Sequence, residues 1–268
     1  MRYGISLNTA PASEPISRTE AKTHCRIEVT DDDGLVDTLI AAAREHVEAF
    51  TARAIVAQSW DFKLDFFPAV IPIPKPPLLS VSGIVYLDAD GAAQTLASSV
   101  YTVDTDMVAG RIFLAYGQSW PGTYGVPNAV TVSFIAGMAA PFTAATSDTC
   151  TVKGRTFANG TKVRVLSSGT LPTGLAAGTD YFVVSASGAT FKLSDSLAGA
   201  AIDITDAGTD THWISTDFTG FDSIRAAMKL LVSHWYENRE AVVVGTITSQ
   251  LPLAVERLLW SHRVLEIP

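Results

Sequence analysis

Carboxylates, histidines and thiols within one helical turn of each other are where chemistry would start, and this chain offers four such groups. His234 and Glu237 are three residues apart, so on a helix they share a face and could supply two metal ligands. No third or fourth ligand follows nearby, and a metal site needs several. A boundary histidine beside a solvated or paired carboxylate is the plainer reading. Asp31, Asp33 and Asp37 have a calcium-loop look but lack the central Gly and closing Glu of that motif. Helix capping is the better account of them. Asp88 and Asp90 precede Gly91, where Asp and Gly serve turn geometry rather than a catalytic pair. His24 and Cys25 are adjacent, so on a helix they point about 100° apart and nothing orients the imidazole as a base.

The motifs that carry stronger chemistry are missing. There is no phosphate-binding GxxxxGK loop, no Gly-x-Ser-x-Gly elbow, no HExxH and no CxxC. We therefore expect no enzyme, no cofactor and no metal, with a hydrolase kept only as a distant alternative. Cys25 and Cys150 lie far apart in segments that read as different units, and are expected to be free thiols.

Two aromatic clusters point instead to contacts. Trp120-Pro121-Gly122-Thr123-Tyr124 reads as a loop that caps a core or meets another subunit. The run His234 to Glu240 is dense in large polar and aromatic types. On a helix Trp235 can face the core while Tyr236, Arg239 and Glu240 reach outward, and Tyr and Arg are favoured at interfaces. Candidate intersubunit or scaffold contacts are thus Arg44, Trp120, Trp235, Tyr236, Glu237, Arg239 and Glu240.

The bulk numbers agree with a subunit. Charged residues are 17% of the 268, below the quarter usual for soluble domains. Acids outnumber bases 27 to 19, giving a net charge of −8. That argues against wrapping nucleic acid by phosphate neutralisation, but not against a conduit that lets DNA pass. No run of 18 apolar residues suggests a signal peptide or membrane span, so synthesis in the host cytoplasm and no membrane partner are expected.

Several elements must hold these residues. Residues 1–14 read as polar and irregular. Ser17 and Glu20 have capping-box spacing and open a short helix through His24. The Asp31–Asp33 run ends it and caps the next helix, where Leu35, Leu39, Ala43, Val47 and Phe50 form an apolar stripe. Opposite that stripe Asp37, Arg44, Glu45 and Glu48 can face water. Short strands follow at 60–66, 81–87, 101–103, 111–114 and 130–137, a small sheet that short connections make antiparallel. The five prolines between 68 and 77 mark an extended edge.

Near Pro141 the composition shifts to Thr, Ser, Gly and Ala. Apolar runs at 162–166, 181–184, 190–193, 201–204 and 212–214, separated by Gly-containing turns, predict a compact β unit. Helical spacing returns with Ile224, Met228, Leu231 and Trp235, and a last helix reaches Trp260. The expected class is α+β: a helical body with a small antiparallel β region, 1–142 and 218–268, interrupted by an all-β inserted domain at 143–217. Gly137 and Thr219-Gly220 are the expected hinges, since insertion is tolerated best at exposed turns.

The ordered series of segments around this insert resembles a known family. The residues are Ile16 to Ile27, Asp32-Asp33, Leu39 to Arg44, Val47-Glu48, Thr51 to Ala54, Gln58-Ser59-Trp60, Pro76 to Val81, Val85 to Asp88, Trp120-Pro121, Val130 to Gly137, Trp235 to Glu240 and Leu251 to Val255. Together they resemble the head–tail connector, or adaptor, family of long-tailed phages typified by phage HK97. The resemblance covers about 1–142 and 218–268. It implies a structural ring below the portal protein, in the virion neck, dodecameric in the particle. It also implies a tail-completion or stopper protein as tail-side partner and passage of DNA without sequence-specific binding. Members usually join the 130–137 strand to the 221–239 helix by a short loop, whereas here about seventy residues intervene. The alternative is a capsid- or tail-associated binding or decoration protein that uses the β unit, with exposed aromatic patches at 144–215.

Overall fold

The computed structural model describes residues 3–11, 13–167, 169–216, 220–239 and 253–264. The chain is a mixed α+β structure with four α-helices, two open sheets and a closed barrel among those residues. Helix α1 (Arg18–Cys25) starts where Ser17 Oγ accepts the Glu20 N–H at 3.2 Å. The reciprocal half of the capping box does not form. The Glu20 carboxylate turns instead to Arg225, 2.7 Å away, and to Lys229. Arg26, in the left-handed region at φ 57°, ends the helix.

Helix α2 (Asp33–Thr51) is rotated from its predicted face. Its buried residues are Val36, Ile40, Ala43, Arg44, Val47, Glu48 and Thr51, while Leu35, Leu39 and Phe50 are only half-buried. Val36 and Ile40 meet helix α3 (Phe221–Glu237), whose inner face carries Ile224, Ala227, Met228, Leu231 and Val232. Helix α4 (Leu253–Trp260) adds Val255 and Leu259 to the same core.

The N-terminal residues are not irregular. Strand β1 (Tyr3–Thr9) pairs antiparallel with β2 (Gln58–Leu64). It is the edge of a five-stranded sheet, ordered β1-β2-β8-β4-β5, completed by β4 (Leu78–Leu87), β5 (Ala93–Thr95) and β8 (Val130–Ala136). Strand β8 is central and alternates, burying Val130, Val132, Phe134 and Ala136. A second sheet, β3 (Val70–Pro72), β7 (Arg111–Leu114) and β6 (Tyr101–Asp104), lies in the same core, and the proline-rich segment supplies its edge β3. The Asp88 turn forms as its sequence demands, with Oδ1 accepting the N–H groups of Asp90 at 3.1 Å and Ala92 at 2.9 Å.

The third unit is a closed antiparallel barrel of β9 (Ala140–Ala144), β10 (Cys150–Val152), β11 (Lys162–Ser167), β12 (Tyr181–Ser187), β13 (Thr190–Ser194) and β14 (His212–Ser215). Its interior holds Phe142, Phe157, Val163, Tyr181, Val183, Phe191, Leu193 and Ile214. The run 201–204 forms no strand, although Ile204 is buried in this core.

The barrel is not hung on loose hinges. All four residues of β14 are buried. Ile214 points into the barrel, whereas the fully buried Trp213 belongs to the helical core. The Gly137 N–H donates to Pro77 O at 3.0 Å, and a Cβ there would lie 2.5 Å from backbone atoms of Val56 and Ala57. Gly220, at φ +82°, has no room for a side chain either, because His262 covers it. Thr219 lies outside the described residues.

Candidate functional site

The predicted contact residues separate into three places. Arg44 is only 6% exposed and Glu48 only 4%, so neither faces water as the sequence pattern suggested. The Arg44 guanidinium donates to Glu14 at 2.9 Å and to Glu48 at 3.1 Å. Glu48 Oε1 accepts the Ile55 N–H at 2.9 Å and the Gln58 amide at 2.5 Å. Burial pushes the Glu48 carboxyl up, against the opposing pull of the Ile55 N–H, Arg44 and Gln58. The flanking carboxylates Glu14 and Glu48 hold the Arg44 proton more firmly despite its burial. This cluster ties α2 to β2 and to the segment before α1. A buried charge must be paired this way, and the Ile55 N–H supplies a direction that a surface pair would lack.

The second place is the end of α3. Tyr236 Oη donates to Asp32 Oδ2 at 2.6 Å, and Arg239 donates to the same oxygen at 2.8 Å while lying 4.6 Å over the Tyr236 ring. These donors hold the Asp32 carboxyl below its usual range, with the Tyr236 hydrogen bond the larger cause. Asp32 precedes α2 but makes no capping bond to it. Asp33 pairs with Lys22 at 2.6 Å and with Arg18 at 3.2 Å, and Asp37 pairs with Arg18 as well. Asp32, Asp33 and Asp37 are therefore straps between helices. Local sequence shows a carboxylate near a helix start, but the competing cations arrive from α1 and from the far end of the chain.

Trp235 stands edge-on to His46 with ring centroids 6.0 Å apart, half-buried between α2 and α3. Glu237 is exposed, and Glu240 lies outside the described residues. Trp120 is in the third place. It stacks on Phe67 at 4.8 Å and 5°, against the sheet core and away from the helical core.

Among the described residues no group of three or more His, Cys, Asp or Glu could hold a metal ion, and no helix is long and apolar enough to cross a membrane. Cys25 and Cys150 are free thiols in different cores, and burial pushes Cys150 up to about 12. A thiol so protonated is a poor nucleophile.

Contact surface is more plentiful. Phe66, Met107, Val108 and Tyr116 are exposed on loops of the two open sheets. Trp260 is 60% exposed on α4, tilted against Phe50, with the Arg263 guanidinium over both rings. Trp260 was missed as a contact candidate, yet its position was readable. Leu259 faces the core, so its neighbour must turn about 100° away. In the barrel the only large apolar side chain exposed among the described residues is Leu197.

Residues 17–82 match the family model described as phage gp6-like head-tail connector protein. This connector-like segment is a minor part of the chain. It holds α1, α2 and β2, and so both the Arg44 cluster and the aspartate straps. The fold likeness extends beyond it to the whole chain. A chain from the "neck of empty GTA particle computed with C6 symmetry" superposes with a TM-score of 0.56 at 17% identity, covering 99% of this chain and 97% of that one. A chain from the "virion of native gene transfer agent (GTA) particle" gives 0.56 at 16%, covering 98% and 97%. No curated protein matches the chain. The coverage reaches past the connector segment into the barrel, so the intervening seventy residues belong to a fold that is shared.

Proposed function

We propose that this protein is a structural head–tail adaptor of a tailed phage or phage-like particle. It stands in the virion neck as a ring of copies below the portal, joins the head to the tail, and lets DNA pass. The observation that carries this reading is a coincidence: the connector segment lies within a chain whose whole fold resembles chains of gene transfer agent neck and virion. A ring of twelve would contain the six-fold rotation named for that neck. Such a ring needs two different surfaces per subunit that meet head to tail and close. Portal on one side and a tail-completion or stopper protein on the other complete the partners. With −8 per copy, the ring would not grip DNA.

Within this reading the barrel is an inserted module on the connector body. Arg44, Tyr236 and Arg239 act as scaffold braces, because their polar atoms are already engaged inside the subunit. Trp120 braces the sheet, and Trp235, Glu237 and Glu240 are left for neighbouring copies. The decoration alternative called for exposed aromatics in the β unit. Phe157, Tyr181, Phe191 and Trp213 are buried and Phe182 is half-buried, so none is fully exposed, which favours the adaptor. Cryo-electron microscopy of the assembled particle tests the reading. The expected result is density for this fold as a ring between portal and tail; density on the capsid surface would defeat it.

A further inference from the structure

A cleft of about 460 Å³ separates the barrel from the body. Its walls come from the segment after α2, the start of β4, the β6–β7 turn, the loop between β10 and β11, and the end of β14. Two guanidinium groups line it, Arg53 and Arg155. Arg155 donates to Thr216 Oγ1 at 3.2 Å and lies 4.8 Å over the Phe157 ring. Arg53 donates through Nε to His262 O at 2.6 Å. Neither contact supplies a counter-charge. Burial shifts both groups, pushing Arg155 down to about 10 and Arg53 down from its usual value, with no carboxylate among the described residues opposing it. Arg44, also buried, shows the opposite pattern beside Glu14, Glu48 and Glu45.

An unpaired cation withdrawn from water is costly, and two facing one cleft are more so. Among the described residues a single carboxylate, Asp106, lines the cleft, from the exposed β6–β7 turn, against the two guanidinium groups. Thr105, Thr161 and Thr216 add hydroxyl donors, while Leu78 and Met138 offer apolar wall for a short aliphatic stem. Each guanidinium retains N–H groups in the fork geometry that matches two oxygens of one anion.

We propose that this cleft is a binding site for a single oxyanion group, held between Arg155 and Arg53. Its source is the carboxylate of an acidic segment docked from a partner chain or a free phosphate. The site is independent of ring formation and can be tested on the isolated full chain.

Arginine labelling by phenylglyoxal, read by mass spectrometry, locates the site on the wild-type protein. The probes are inorganic phosphate and hexaglutamate, each compared with sodium chloride at equal ionic strength. One of them should slow labelling of Arg155 and Arg53 at least fivefold and leave the exposed Arg257 on α4 unchanged. The same probe should raise the melting temperature of the wild type but not of the Arg53→Gln/Arg155→Gln double variant. Protection by hexaglutamate alone assigns a docked acidic segment, and protection by phosphate assigns a small anion; either supports the site. Equal labelling and equal melting in all three salts would overturn it. So would slowing that extends to Arg257. Should the double variant not fold, wild-type protection and melting decide alone.

Discussion

The body and the barrel solve the same problem in opposite ways. The barrel closes its sheet on itself, fills the interior with aromatic and branched side chains, and leaves one large apolar group in water. The body leaves two sheets open, straps its helices with carboxylates, buries an ion-pair cluster, and keeps apolar groups on its loops. A closed barrel offers no strand edge to a neighbour. An open sheet with edges β1 and β5 does. The difference teaches where assembly is to be sought: on the body, with the barrel sealed to it along β14.

The largest test of that seal is Trp213→Ala. The side chain is fully buried in the helical core although it comes from a barrel strand. Its loss should cost about 3–5 kcal/mol. If barrel and body form one cooperative unit, chemical denaturation followed by helical and near-ultraviolet signals should shift together. Two separated transitions in the wild type would break the comparison at its root.

Glu48→Ala comes next. It strands the Ile55 N–H and the Gln58 amide and takes from Arg44 its buried carboxylate partner. Removing one side of a buried charged cluster costs about 3 kcal/mol. Urea midpoints should show a loss that Glu48→Gln partly restores, because the amide oxygen can still accept. A loss below about 1 kcal/mol would place the body's stability in its apolar core alone, as in the barrel.

These two residues also mark what the sequence could and could not reveal. The Ser17 cap, the Asp88 turn and the α3 stripe were legible because each is decided within a few residues. The α2 face was misread because Leu35 and Leu39 are more apolar than their surroundings require. What fixed the rotation was α3, arriving almost two hundred residues later against Val36 and Ile40. Strand β1 hid for a similar reason. Its exposed Ser6, Leu7 and Asn8 blur the alternation on an edge strand. The barrel's existence was visible from composition, but its closure depends on β9 meeting β14, partners some seventy residues apart. Of the contact candidates, Tyr236 and Arg239 converge on Asp32, which had been given to capping.

The smallest expected effect concerns the aspartate straps and is read through pH. Asp32 has its folded pKa held below its ordinary 3.8 by Tyr236 and Arg239. Its contribution is therefore complete above 3.8 and is lost as pH falls through the lower folded value. Asp32→Asn should make the acid limb of a stability profile between pH 5 and 2 shallower and leave the Trp213→Ala penalty unchanged. An acid limb identical to wild type would show that the strap is ornamental.

The barrel leaves and rejoins the body at one place. Its entry and exit strands are neighbours in register, with Ala140 opposite Ile214 and Phe142 opposite His212. Opposed residues in such a pair sit only about 5 Å apart. A single in-frame deletion between them would leave ends that a tight turn can rejoin, without rethreading the chain. A body lacking that segment should therefore still close its core, provided that a new side chain fills the hole Trp213 leaves among the helices.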